Sequence, residues 1–187
     1  MVKEPRPGRV KTRLAAGIGT VAAAHWFRRH ALRLLARLED PRWTLLLAVS
    51  PDRAGLASRV WPAHLPRIPQ GPGDLGDRMG RLLRVCPTGP VLICGADIAG
   101  LERRHIARGF AALGRAPAVL GPATDGGYWA IGLRRTAAVP AGIFAGVRWS
   151  TAHALQDTLA TLPPGTALID TLSDIDTVAD LPRRHMR

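Results

Sequence analysis

Lysine is almost missing from this chain. Of 26 basic residues in 187, only Lys3 and Lys11 are lysine, and the other 24 are arginine. Cysteine is equally scarce, with Cys86 and Cys94 alone, which is too few for a disulfide framework. Cys94 sits inside an apolar run and reads as a buried thiol. No CxxC or HExxH pattern occurs, and His25 and His30, five apart, carry no zinc signature. No apolar run reaches the length of a membrane span, and no signal-type apolar stretch opens the chain. The expectation is therefore no membrane partner and a reducing cytoplasm. Aromatic residues make up only 5%. No basic strand carries the stacked aromatics of an RNA-binding sheet.

What the chain has is positive charge, a net +12, and a 47% apolar share sufficient for a core. Its arginines are spread rather than clustered, which makes nucleic acid an unfavoured partner and small anionic ligands a favoured one. Length predicts one domain over residues 1–187.

Both lysines flank one segment, Pro5-Arg6-Pro7-Gly8-Arg9-Val10-Lys11-Thr12-Arg13-Leu14. It reads as a Pro/Gly-fixed loop leading into a helix. Gly8 permits close backbone approach, and Lys11 and Arg13 supply charge and donors for phosphate. A solvated basic terminus is the plainer reading.

Short apolar runs alternate with helical patterns. Helices are expected over Thr20–Leu38, 52–60, Asp74–Val85 and Leu101–Leu113, from Ser150 as an N-cap to Leu162, and over 177–184. Strands are expected at Thr44–Val49, Val91–Cys94, Ala118–Leu120, Tyr128–Leu133 and Thr166–Ile169. The alternation implies an α/β fold with a mostly parallel sheet, whose ligands sit at strand carboxyl ends. Only Met1 and Val2 precede the basic loop, so the first strand is expected to be truncated.

Three further segments carry candidate chemistry. Gln70-Gly71-Pro72-Gly73-Asp74-Leu75-Gly76 combines three glycines with a side chain able to donate and accept, as base recognition needs. A surface turn with Asp74 as helix cap is the alternative. Asp97 follows a buried strand, where a carboxylate suits Mg²⁺ or simply caps a loop. Asp125 precedes Gly126-Gly127, suited to a metal or a sugar, or to an ordinary hairpin turn.

The order of these segments resembles one family. KEPRPGRVKTRL, QGPGDLGDRM, GADIAGL, GPATDGGYWAIGL, FAGVRWST and TLSDIDTVADL, from Lys3 to Leu181, are similar to bacterial GT-A-type glycosyltransferases of the nucleotide-diphospho-sugar transferase kind. The resemblance implies a Rossmann-like fold and Mg²⁺- or Mn²⁺-assisted transfer from a nucleotide sugar to a small-molecule acceptor. The wider superfamily adds a nucleotidyltransferase alternative, in which a nucleoside triphosphate meets a phosphorylated acceptor. A non-catalytic nucleotide-binding remnant is a third possibility. Carried over, Gly8, Lys11 and Arg13 would hold phosphates, Lys11 and Arg13 also stabilising charge during transfer. Gln70, Gly71 and Gly76 would line a base pocket. Asp97, Asp125 and Asp176 would hold metal, with Asp125 also facing the acceptor and Asp176 alternatively capping the last helix. Similar proteins carry proline where this chain has Ala99, which predicts a looser loop after Asp97.

Overall fold

The computed structural model describes residues 1–181. Strands β1 (Val2–Lys3), β2 (Leu47–Ser50) and β3 (Arg67–Pro69) form a parallel sheet in the order β1-β2-β3. Strands β4 (Val91–Cys94), β5 (Ala118–Pro122), β6 (Tyr128–Leu133) and β7 (Ala167–Leu168) form a second sheet in the order β4-β6-β5-β7. The Met1 amino group donates to the Cys94 carbonyl at 2.6 Å, which ties the two sheets together. The first strand is thus present but two residues long.

β6 runs antiparallel to both β4 and β5. β4 and β5 therefore point the same way, and their carboxyl ends share one rim. The Asp97 loop follows one strand and the Asp125 turn follows the other. The first sheet is fully parallel, as expected, and in the second β5 pairs parallel with β7.

Helices α1 (Thr12–Ile18), α2 (Thr20–Leu38), α3 (Asp52–Leu56), α4 (Leu75–Val85), α5 (Arg103–Leu113) and α6 (Ala154–Thr161) complete the α/β fold. α2 buries Ala24, Phe27, Ala31, Leu34, Leu35 and Leu38, a stripe with helical period. α4 starts where the sequence predicts. Asp74 caps the Asp77 N–H, and the Asp77 side chain returns the bond to Asp74, forming a capping box. Among the described residues no helix is long and apolar enough to cross a membrane.

Two expectations fail at helix ends. Ser150 is no N-cap: its backbone is left-handed (φ 60°), and α6 starts only at Ala154. Thr151 takes over locally, its hydroxyl accepting from the His153 N–H at 3.2 Å. At the end of the chain only a 3₁₀ turn, Val178–Asp180, forms within the described residues, capped by Thr177 and Asp180. The rest of the expected 177–184 helix lies beyond residue 181.

Two packing details fix the sheet. Trp129 lies over Gly121, leaving no room for a Cβ there, and its indole N–H donates to the Asp170 carbonyl at 2.8 Å. Buried Gln70 donates to the carbonyls of Val2 (3.1 Å) and Ala48 (2.8 Å), bridging β1 and β2. Gln70→Ala leaves both carbonyls without that donor. It is expected to cost about 2 kcal/mol, measured by urea denaturation.

Candidate functional site

The basic loop, the rim of β4 and β5, and the chain's last segments enclose a cavity of about 900 Å³. Its wall includes Lys3, Arg9, Lys11, Arg13, Asp97 and Asp125, with Asp174 and Asp176 beside them.

Backbone pairing assembles this wall. The loop after β4 hydrogen-bonds to the segment 173–175: Ala99 N–H donates to Ser173 O (2.8 Å) and Ile175 N–H to Asp97 O (3.2 Å). The strand-end turn of β5 pairs with the same segment, Leu172 N–H donating to Pro122 O (3.1 Å) and Thr124 N–H to Leu172 O (3.2 Å). Asp174 and Asp176 are thereby delivered between Asp97 and Asp125. Ala99 makes its bond where a proline has no N–H to give. The loop expected to be looser is pinned instead.

Lys11 sits at the centre. Its side chain is 6% exposed, with Nζ 2.6 Å from Asp97 Oδ2 and 2.8 Å from Asp176 Oδ1. Burial alone would lower its pKa, but Asp97 and Asp176 outweigh burial and raise it. The ammonium stays charged. Its backbone is left-handed (φ 48°) at the N-cap of α1, a conformation unfavourable for a side-chain-bearing residue. Arg13, mostly exposed, donates to the other oxygen of Asp176 at 3.1 Å. Asp176 therefore pairs with cations rather than capping the last helix.

Asp174 is the site residue that sequence reasoning missed. It is partly buried, and its Oδ1 is buried without a hydrogen-bond partner. Burial first, then the charges of Asp97 and Asp125, push its carboxyl up to about 7. The signal was the Asp-Ile-Asp spacing, which sends both carboxylates to one side of an extended segment.

Asp125 is exposed, and its Oδ1 accepts from the Gly127 N–H at 2.9 Å, so it forms an Asx turn while bordering the cavity. The proposed base-pocket residues are less available. The Gln70 amide nitrogen is spent on the sheet. The Gly71 N–H donates to Asp52 Oδ1 (3.1 Å), and the Arg81 guanidinium covers its Cα. Gly76 is roofed by Phe144 and Trp149. Gly8 turns the loop with φ 73° and nothing packed against it. Gly8, Gly71 and Gly76 are not among the residues of the cavity wall.

Among the described residues no three His, Cys, Asp or Glu side chains converge tightly enough to hold a metal by themselves. The donor chemistry still fits Mg²⁺, which takes one or two carboxylates and fills its shell with phosphate oxygens and water. Carboxylates crowd the cavity, and one carries an orphaned buried oxygen. One or two of Asp97, Asp125, Asp174 and Asp176, all on the cavity wall, would supply the carboxylates for such an ion.

The native state holds the Asp174 proton more tightly than an unfolded chain does, whose carboxyl titrates near 3.8. Stability should therefore fall as pH rises from about 4 to about 7, with the penalty complete above that. Asp174→Asn removes the penalty. Without divalent cation, the variant should be more stable than wild type at about pH 8, and the gain should shrink towards about pH 4. Urea melts across that range test it, and a gain that stays constant with pH contradicts the assignment.

No curated protein matches the sequence. Among solved structures, the chain is similar to one described as "putative nucleotide-diphospho-sugar transferase" from Desulfovibrio desulfuricans G20. That match has 30% identity and a TM-score of 0.85, covering 96% of this chain and 81% of the other. The fold is that of a nucleotide-diphospho-sugar transferase. Residues 34–151 match the family described as "Uncharacterized protein conserved in bacteria (DUF2064)". The chain belongs to that DUF2064 family, and its cavity of Lys11, Asp97 and Asp174 lies in a fold shared with the Desulfovibrio protein.

Proposed function

We propose that this protein is a metal-dependent glycosyltransferase using a nucleotide-sugar donor and a small-molecule acceptor. One observation carries the reading. The cavity brings a basic loop and a strand-end carboxylate together, in a chain 30% identical to a protein described as a "putative nucleotide-diphospho-sugar transferase".

Arg9, Arg13 and Lys3 line the entrance and attract the diphosphate of the donor. Asp97, with Asp125 or Asp174, would hold Mg²⁺ or Mn²⁺. That ion would neutralise charge on the departing nucleoside diphosphate. Lys11 holds a positive charge among the carboxylates while the site has no ligand. With another cation held by the carboxylates, its ammonium would be free to serve phosphate oxygens, where a fixed charge would stabilise the leaving group. Asp125, the exposed carboxylate, is the candidate to accept the proton of the attacking hydroxyl. The acceptor oxygen then bonds to the anomeric carbon as the bond to the diphosphate breaks.

The density of cations at the entrance supports a second reading, nucleotidyl transfer. There an acceptor phosphate attacks the α-phosphorus and pyrophosphate leaves.

A thermal-shift panel with Mg²⁺ separates the two. A ligand at about 100 times its dissociation constant adds about 2.7 kcal/mol, about 5–10 °C for a chain of this size. A Mg²⁺-dependent shift with one nucleotide sugar supports glycosyl transfer, a shift with a triphosphate alone supports nucleotidyl transfer, and no shift at all rejects both. Asp97→Ala should abolish the Mg²⁺-dependent shift while the protein stays folded by circular dichroism.

Lys11→Met gives a sharper test. With the internal ammonium gone, calorimetry should show tighter Mg²⁺ binding in the absence of nucleotide. Binding of Mg²⁺ and donor together should weaken by about tenfold, the loss of one charge-assisted contact. Unchanged Mg²⁺ affinity removes Lys11 from the role of counter-ion.

A further inference from the structure

The cavity wall that carries the carboxylates also has apolar and aromatic side chains. Leu75, Met79, Tyr128 and Trp149 line it. Leu75 is 44% exposed, one of the large hydrophobic side chains that folding leaves uncovered. The Tyr128 hydroxyl points away from this use. It accepts from Thr158 Oγ1 at 3.4 Å and faces Met79 Sδ at 3.9 Å, and burial raises its pKa, so it stays neutral.

Trp149 is held firmly for a residue outside regular structure. Just before it, Arg148 makes a bidentate pair with Asp157 of α6, both contacts 2.8 Å, and its N–H donates to the same carboxylate at 3.0 Å. Just after it, Ser150 is left-handed, a conformation that persists only where its surroundings enforce it. Phe144 packs on the indole at 5.9 Å and 55°, and Tyr128 at 6.5 Å and 64°. Gly76 makes room for the ring's far edge, since a Cβ there would stand 2.8 Å from Cζ2.

Its indole N–H is also distinctive. Trp43 and Trp129 donate theirs to the carbonyls of Leu38 and Asp170. Those of Trp26 and Trp61 have no acceptor among the described residues, but both residues are buried in the core, at 7% and 2% exposure. Trp149 is half-buried on the cavity wall, and among the described residues none accepts from its N–H. A rigid indole with a donor to spare, in a cavity whose wall also carries carboxylates that accept from hydroxyls, suits a sugar ring. The negative face of the indole attracts the weakly positive C–H face of a pyranose, while the N–H and the carboxylates bind its hydroxyls. A flat base can stack on the same indole but brings fewer hydroxyls for the carboxylates, and a plain hydrocarbon would waste the N–H.

We propose that Trp149 is the platform of a pyranose subsite, with Leu75 and Met79 as its apolar flank. This rests on the glycosyltransferase reading and deepens it, because it names the class of the transferred or accepting group. The ring comes either from the donor or from a sugar acceptor.

Indole NMR on the full ¹⁵N-labelled chain tests it. Five tryptophans give five indole N–H signals, and the one missing from Trp149→Phe is that of Trp149. Titration with methyl glucoside, galactoside and mannoside is expected to move that signal, and free nucleosides are not. Trp149→Ala should weaken the moving glycoside about three- to tenfold, the worth of one aromatic contact. Movement by a Mg²⁺–nucleotide sugar but not by its diphosphate assigns the ring to the donor. Movement by a methyl glycoside added over bound diphosphate assigns it to the acceptor. A signal that answers nucleosides, or that ignores every free and nucleotide-linked sugar while the donor binds, overturns the subsite and leaves the transferase reading standing. Absence of any donor binding in the thermal panel overturns that reading separately.

Discussion

A single buried ammonium joins the two ends of this chain. Lys11 comes from the loop after the first strand, Asp97 from the rim of the second sheet and Asp176 from the last segment, and Nζ lies within 2.8 Å of both carboxylates. Taking these charges from water is costly. Left without the ammonium, the carboxylates would repel one another in a poorly solvated space. Geometry also explains why lysine stands here in a chain whose only other lysine is Lys3. A compact charge on a flexible stem can stand between carboxylates from different elements, whereas a planar fork prefers two oxygens of one carboxylate, as Arg148 shows with Asp157. The left-handed backbone at Lys11 is the local cost of aiming the stem inward.

The same constraint organises the charge of the molecule. A chain of net charge +12 brings four of its 14 acidic residues, Asp97, Asp125, Asp174 and Asp176, to one cavity, with exposed Arg9 and Arg13 on the same wall. On the proposed reading, an anionic ligand would be drawn to the outer cations and meet carboxylates within. Those carboxylates need a positive partner, and Lys11 is that partner in this structure.

Much of the fold was legible in the sequence, and the reasons are local. α2 matches its apolar period from Thr20 to Leu38, and Asp74 announces the start of α4 by its capping box. Tyr128–Leu133 has the strand bounds its apolar run suggests. Its antiparallel direction is set by the short turn through Asp125, which leaves no length for a crossover. What stayed hidden depends on distant partners. Gln70 has the chemistry of base recognition, but folding brings two carbonyls of neighbouring strands to its amide. Asp174 looked incidental because its neighbours Asp97 and Asp125 reach it only through pairing across 48 or more residues. Ser150 has the residue type of a cap, yet the Arg148–Asp157 clamp holds the chain in another path.

Trp129 and Gly121 belong to the same stretch, GPATDGGYWA, and the ring of one fills the space over the other. The stretch therefore behaves less like a string of letters than like a hinge pin in its socket. Any side chain at 121 displaces the indole, and the displaced indole takes the Asp170 carbonyl with it, loosening the segment that leads to Asp174 and Asp176. Over evolutionary time these two positions can drift only as a pair. A lineage that fills the socket must shrink the pin, or lose the rim on which its carboxylates stand.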